Sequence, residues 1–243
     1  MKSRKGIILV AVFAAAALLA VTTASLAGKK APGKVSFLSG KAFWGKSKKG
    51  PWKSLKKGSG LYQNWWIKTA QDTRMEVMLE DKSILRMSAD SLVKLQNLLY
   101  NKKGNKKVYK AKIAAGKAWA KVTSLFGEES AFEVSTENAV AGVRGTVFRV
   151  NVEEDKSTMV RVYSGVVAVS NAPVYAKKTK GGKRVEVAGP QEVSKKQWEE
   201  YVAKAMQEVR VSAAGDISKP SGFNADADKD KWVLWNQERD KEL

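Results

Sequence analysis

Polar and apolar positions between Lys34 and Lys195 alternate in short runs, broken by Gly, Ser, Asn and Lys. Arg74-Met75-Glu76-Val77-Met78-Leu79-Glu80 is a clear case, and Ser83 to Met87 and Ser91 to Gln96 follow closely. Further runs are Val108 to Ile113, Lys117 to Val122, Phe132 to Thr136, Val147 to Val152, Met159 to Tyr163, Val166 to Val169 and Arg184 to Val187. Alternation with a period of two puts successive side chains on opposite faces of a strand. So many β-branched-rich runs at close spacing predict an all-β body, either a sandwich or a β-helix-like stack of short strands. A helical pattern does not intervene between them, which excludes a parallel α/β fold.

Turn chemistry supports the same reading. Ser39-Gly40, Ser164-Gly165 and Gly181-Gly182 punctuate the runs, and Asp81-Lys82 has the form of a tight hairpin link. Tyr100 to Lys107 and Lys177 to Lys183 read as solvated, lysine-rich hairpin tips. After Gln191 the period changes. Trp198, Tyr201, Val202, Ala205 and Val209 share one face of a helix expected over about Lys196 to Arg210, with Ser194 as its N-cap. That helix is expected to pack on the sheet. Residues 212–230 read as a linker, and Trp232 and Trp235 as part of a short helical or docked C-terminal segment.

The first residues carry an export pattern. Lys2, Arg4 and Lys5 precede an apolar run from Ile7 to Val21, and Ser25-Leu26-Ala27 places small residues before Gly28. The run is shorter than the roughly 20 residues that span a bilayer. The expected organisation is therefore a signal peptide at 1–27, a β-domain at 28–195, a helix at 196–211 and a tail at 212–243. Export places the mature chain in the periplasm or outside the cell. Contact with a membrane is expected only through the leader, if that is retained.

Composition narrows the chemistry. The chain has no Cys and no His, which removes disulfides, lipidation at Cys, the common zinc sites, haem attachment, Cys nucleophiles and Ser-His-Asp triads. No cofactor and no catalytic set is expected. A carboxylate-dependent polysaccharide hydrolase survives the subtraction, because it needs only Asp and Glu. The formal net charge is +20, yet from Glu192 onward nine basic residues face eleven acidic ones. A basic body with a slightly acidic tail suits a polyanionic partner.

Three passages resemble the FecR domain family. The first runs from Gly50-Pro51-Trp52 through Gly58 and Leu61 to Ile67-Lys68-Thr69-Ala70. The second is Glu76 to Leu79 with Asp81-Lys82-Ser83-Ile84-Leu85-Arg86-Met87. The third and most specific is Thr136-Glu137-Asn138-Ala139-Val140-Ala141-Gly142-Val143-Arg144-Gly145-Thr146-Val147-Phe148. The resemblance covers about 35–191 and implies an exported, stand-alone module. In iron-responsive members a periplasmic FecR region relays a receptor signal to a cytoplasmic sigma-factor-binding domain. Six residues before the apolar run are too few to carry such a domain.

Within the third passage Gly142 and Gly145 bracket an expected bend that contains a bulge. Arg144 offers a rigid fork of donors to nearby carbonyls. Gly142, Arg144, Gly145, Thr146 and Phe148 are accordingly read as structural. Other motifs carry less. Gly40 to Ser47 matches a phosphate-binding loop in letters but reads as a strand, and Ser54 to Lys57 and Ser91 to Lys94 match Ser-x-x-Lys without a helix. Asn224, Asp226, Asp228 and Asp230 alternate like calcium ligands but lack the EF-hand Gly and Glu.

The tentative binding surface is basic and aromatic. From Gly28 to Lys68 there are eleven lysines and no acid, interleaved with aromatic residues. Trp44, Trp52, Trp65, Lys46, Lys48 and Lys49 are its candidates. Lysine's near monopoly over arginine argues against specific nucleic-acid reading. The expected partner is an envelope protein or an anionic envelope polymer, and the expected role is binding or scaffolding. The alternative is a signalling component acting in trans with a membrane regulator.

Overall fold

The computed structural model describes residues 31–104, 106–123, 130–143, 145–171 and 202–242. Its strands form two layers around one apolar core. Sheet A pairs β4 (Gly60–Leu61), β1 (Gly33–Ser39), β6 (Arg74–Leu79), β7 (Ile84–Met87), the end of β9 (Lys106–Lys121), β12 (Val147–Val152), β13 (Thr158–Ser164), β16 (Gln207–Val211) and β17 (Ser221–Gly222) in that order. Sheet B runs β3 (Lys53–Leu55), β2 (Ala42–Gly45), β5 (Trp65–Thr69), β8 (Leu92–Asn101), the start of β9, β10 (Ala131–Ser135), β11 (Ala139–Val143), β14 (Val166–Asn171) and β15 (Val202–Lys204). The β9–β10 pair is parallel and the others are antiparallel.

Alternation in each run explains the layers. Val77, Leu85, Ala118, Ala120, Phe148, Val150, Val160, Val162 and Val209 point inward from sheet A. They meet Ile67, Val93, Ile113, Val134, Ala141, Val167 and Ala203 from sheet B in one buried cluster. The expected all-β body is therefore a sandwich rather than a β-helical stack. The separate runs expected at 108–113 and 117–122 are one strand, β9, which crosses between the layers. Gly116 is the pivot: β9 pairs with β8 up to Ala115 and with β7 from Ala118. Its φ is +85°, and a Cβ there would lie 2.2 Å from Ser91 Oγ, so only glycine fits.

The tight link at Asp81-Lys82 is present. Lys82 takes φ +73°, and Asp81 Oδ1 accepts from Ser83 N at 2.9 Å. Lys107, expected on a solvated tip, is instead buried, with its ammonium 3.5 Å from Asp81.

The helix expected over 196–211 is not what residues 202–211 form. Val202–Lys204 is β15 and Gln207–Val211 is β16, while 196–201 lie outside the described residues. Val209 and Val211 are buried, and Glu208 and Arg210 face outward. A period of two, paired against β13, wins over the helical reading. The expected linker at 212–230 is also ordered, through β17, a bridge between Val211 and Ile217, and a turn at Asn224–Asp228.

The tail ends in a helix, α1 (Lys231–Lys241), which carries Trp232 and Trp235 as expected. Asp230 caps it, accepting from the amides of Trp232 and Val233 at 2.9 and 2.8 Å. The helix lies on the outer face of sheet A.

Candidate binding surfaces

Both sheets have an outer face, and the two differ in chemistry. On sheet B the outward positions of neighbouring strands line up as Trp66, Lys94, Lys112 and Ser135. Lys68 projects beside Trp66 from the same face of β5, and Lys110 lies two residues before Lys112. Lys110 pairs with Glu133 at 2.9 Å. Lys94 and Lys112 stand directly opposite each other on adjacent strands. Like charges so placed destabilise a sheet by roughly 0.2–1 kcal/mol, a cost that an anion bound across them would remove.

The tentative site at the N-terminal corner is partly assembled. Trp44 and Trp65 stack with centroids 3.7 Å apart and planes 8° apart. Their β-strand neighbours Ile67 and Leu95 are core residues, so the pair caps the core at half-burial. Lys46 lies 5.6 Å over Trp65 and Lys53 lies 5.5 Å over Trp44, so the lysines cover the stack. Trp52 packs against Gly45 and Gly50. Lys48 and Lys49 are exposed in the turn before it.

The outer face of sheet A is covered. One row crosses it, in register: Phe37, Glu76, Arg86, Trp119, Arg149, Arg161 and Glu208. Residues 223–242 lie over this row as a strap. Asp240 accepts from Arg86 Nη1 at 2.7 Å and Trp119 Nε1 at 3.0 Å, and its carbonyl accepts from Lys121 at 2.7 Å. Asp228 accepts from Arg149 Nη2 at 2.7 Å, lies 2.7 Å from Arg161 Nη1, and accepts from the Tyr163 hydroxyl. Arg239 donates back to Glu76 at 3.1 Å. Trp235 packs on Phe37 and beneath the guanidinium of Arg86, and Trp232 meets Trp119 edge-on.

The carboxylates in this row are held charged. Burial works against Glu76, but hydrogen bonds from Arg86, Ser36 and Arg239 outweigh it and keep the carboxyl below its ordinary value. Burial likewise opposes Glu208, and Arg161 and Arg210 bring it below the ordinary value too. Burial, reinforced by the bond to Asp228, pushes the Tyr163 phenol well up.

The four residues that alternate like calcium ligands have separate tasks. Asn224 accepts from the amide of Asp226, Asp226 pairs with Lys229, Asp228 holds the arginines and Asp230 caps the helix. No metal-binding group of three or more His, Cys, Asp or Glu side chains occurs among the described residues. The stretches with phosphate-loop and Ser-x-x-Lys lettering form β2, β3 and β8 with their turns.

Residues 66–168 match the family model described as FecR protein. Over these residues the chain is similar to a FecR domain. The matched span takes in Trp66, Lys68, Lys94 and Lys112 of sheet B, and Arg86, Trp119, Arg149 and Arg161 of sheet A. The corner at Trp44, Lys46, Lys48, Lys49, Trp52 and Trp65 precedes it, and the strap follows it. No curated protein matches the chain. Crystal structures of a candidate anti-sigma factor from Parabacteroides distasonis ATCC 8503, at 1.65 and 2.50 Å resolution, are similar at 19% identity. The TM-score is 0.46 in both cases, over 71% of this chain. The chain spans 64% of the length of that protein.

Within the matched span the described residues of the third passage lie in β11, β12 and the link between them. Phe148 is fully buried in the core, and the carbonyl of the buried Thr146 accepts from Val122 N at 2.9 Å. Gly145 takes φ +60° in the link between β11 and β12. The expected bulge falls at Val147/Phe148. Gly142 departs from expectation: it pairs regularly within β11, and an added Cβ would meet nothing within 4 Å. Arg144 lies outside the described residues. The sequence reading missed the arginine row and Asp228 and Asp240 as its partners. Arg149 and Arg161 sat in recognised strands, but nothing local announces which acids will cover them.

Proposed function

We propose that this chain is an exported, non-enzymatic FecR-domain module of the bacterial envelope that acts in signalling or regulation by binding a protein with an acidic surface. The observation that carries the reading is the facing pair Lys94 and Lys112 on sheet B, flanked by Lys68 and Trp66. The cross-strand repulsion is relieved when an anionic surface lies across the pair. The similarity to a FecR domain supports a regulatory role, and the basic, apolar and small-residue pattern at the N-terminus supports export. A separate membrane regulator would complete the relay in trans.

Neither Glu76 nor Glu208 suits the acid of a hydrolase. A glycosidase acid needs a raised pKa, whereas Glu76 and Glu208 are both lowered by arginine partners.

A second reading, binding of an anionic envelope polymer, rests on Lys46 and Lys53 over the Trp44–Trp65 stack. A pull-down from envelope extract with the mature chain separates the two. The protein reading expects a defined protein retained by wild type and lost in Lys94→Glu/Lys112→Glu, with Lys46→Glu/Lys53→Glu unaffected. Polymer captured at low salt alone, and lost in the corner variant instead, would replace it.

A further inference from the structure

The outer face of sheet A has the makings of a binding site that is already filled. Its floor from Glu76 to Arg161 belongs to the matched span, and its cover lies beyond that span. Two apolar clusters occupy opposite sides of the sheet. The sandwich core is complete in itself, while Trp119, Trp232 and Val233, with Val147, Tyr163 and Trp235 around them, form a smaller one under the strap. Removing the strap therefore leaves the inward face of every strand of sheet A packed.

What holds the strap is mainly charge. Asp228 and Asp240 meet Arg149, Arg161 and Arg86, and aromatic rings fill the spaces between them. The match is incomplete. Arg86 Nη2, Arg149 Nε and Trp232 Nε1 are buried without a hydrogen-bond partner. Buried donors left in this state weaken an interface relative to a fully satisfied one. Lys117 and Lys121 border the same row. Uncovered, the face would present at least five cations around Trp119 and Tyr163, against Glu76 and Glu208.

We propose that the outer face of sheet A is a docking site for an acidic, tryptophan-bearing helix of a partner protein, and that residues 223–242 keep it closed by mimicking that helix. The strap shows the required chemistry: a carboxylate for the Arg149–Arg161 pair in the turn that precedes α1, an indole of α1 against Trp119, and a second carboxylate in the last turn of α1 for Arg86. A partner with the same spacing displaces it. The inference is independent of the sheet B reading, because the two faces share no residue.

The test uses the full chain and a fluorescein-labelled peptide with the sequence of residues 223–242. Asp228→Asn/Asp240→Asn removes the charges that seat the strap, and Asp230→Ala loosens the helix through its cap. Both variants are expected to bind the peptide at least tenfold more tightly than wild type does. A peptide carrying Asn at both acidic positions is expected not to bind. In wild type, amide hydrogen exchange over 231–241 should run at least tenfold faster than in β12 and accelerate with salt. Exchange at equal rates in α1 and β12 would make the strap part of the global fold and overturn the proposal. So would folded variants that ignore the peptide, or loss of the strand circular-dichroism signal in the double variant.

Discussion

Asn138 stands in the turn between β10 and β11, in the passage that first suggested a FecR domain. Its amide nitrogen donates toward the carbonyls of Lys156, Val211 and Ser212, and its oxygen accepts from Thr136 at 2.9 Å and Thr158 at 2.7 Å. One side chain thus ties the β10–β11 turn to the loop before β13 and to the end of β16. Asn138→Ala leaves buried hydroxyls and carbonyls with fewer partners, each worth about 1–3 kcal/mol when left unsatisfied. The urea midpoint is expected to fall with the slope unchanged. Asn138→Asp should be worse, because it sets a carboxylate against those carbonyls. A midpoint for Asn138→Asp above that of Asn138→Ala would refute this account. The sequence passage marked this residue only as one letter of a motif. Its partners lie as far as 74 residues away, which local pattern does not reach.

Strands and turns were legible where local chemistry determines them. Arg74 to Leu79 alternates, Asp81-Lys82 turns, and Ile84 to Met87 returns, so that hairpin could be read letter by letter. The failure at 196–211 has an equally local cause. Ala205-Met206 turns the chain from β15 in sheet B to β16 in sheet A, with Met206 at φ +63°, and no Gly, Asn or Pro marks the corner. Without that punctuation, Val202, Ala205 and Val209 fell into helical spacing. Met206 is exposed, and its amide donates to the Val162 carbonyl at 2.7 Å. Met206→Gly keeps that bond and removes the strain of a left-handed methionine, so it should raise stability by about 0.5–1 kcal/mol. Gly116→Ala tests the converse case at the pivot of β9. Positive φ alone costs about 1–3 kcal/mol there, and contact with Ser91 adds to it. Thermal melts of the two variants should therefore move in opposite directions, and a shift in the same direction would break the argument.

The molecule divides its charge by surface. Among the described residues, lysines line exposed surface such as the outer face of sheet B, whereas arginines and acids meet beneath the strap on sheet A. Lysine suits an exposed face because its ammonium stays hydrated, and arginine suits a buried row because its fork satisfies two oxygens at once. That division was visible as composition but not as geometry, since only the register of sheet A brings Glu76, Arg86, Arg149, Arg161 and Glu208 into one line. It also sets the response to acid. Glu76 and Glu208 have folded-state pKa values below their ordinary value of 4.5. A carboxylate depressed by folding contributes stability that is present above the unfolded pKa and is lost as pH falls through the folded one. Stability should therefore hold from neutral pH down to about the ordinary carboxylate range and decline below it. Glu76→Gln removes one of the two carboxylates that pair with the fully buried Arg86, leaving Asp240, and should cost about 1–3 kcal/mol at pH 7. As wild type is acidified its own Glu76 becomes neutral, so the gap between wild type and Glu76→Gln should narrow below about pH 4. Urea titrations at pH 7 and pH 3.5 measure that gap directly. A difference that stayed constant would mean that Glu76 acts by shape rather than by charge, and that the arginine row is held by the strap's carboxylates alone.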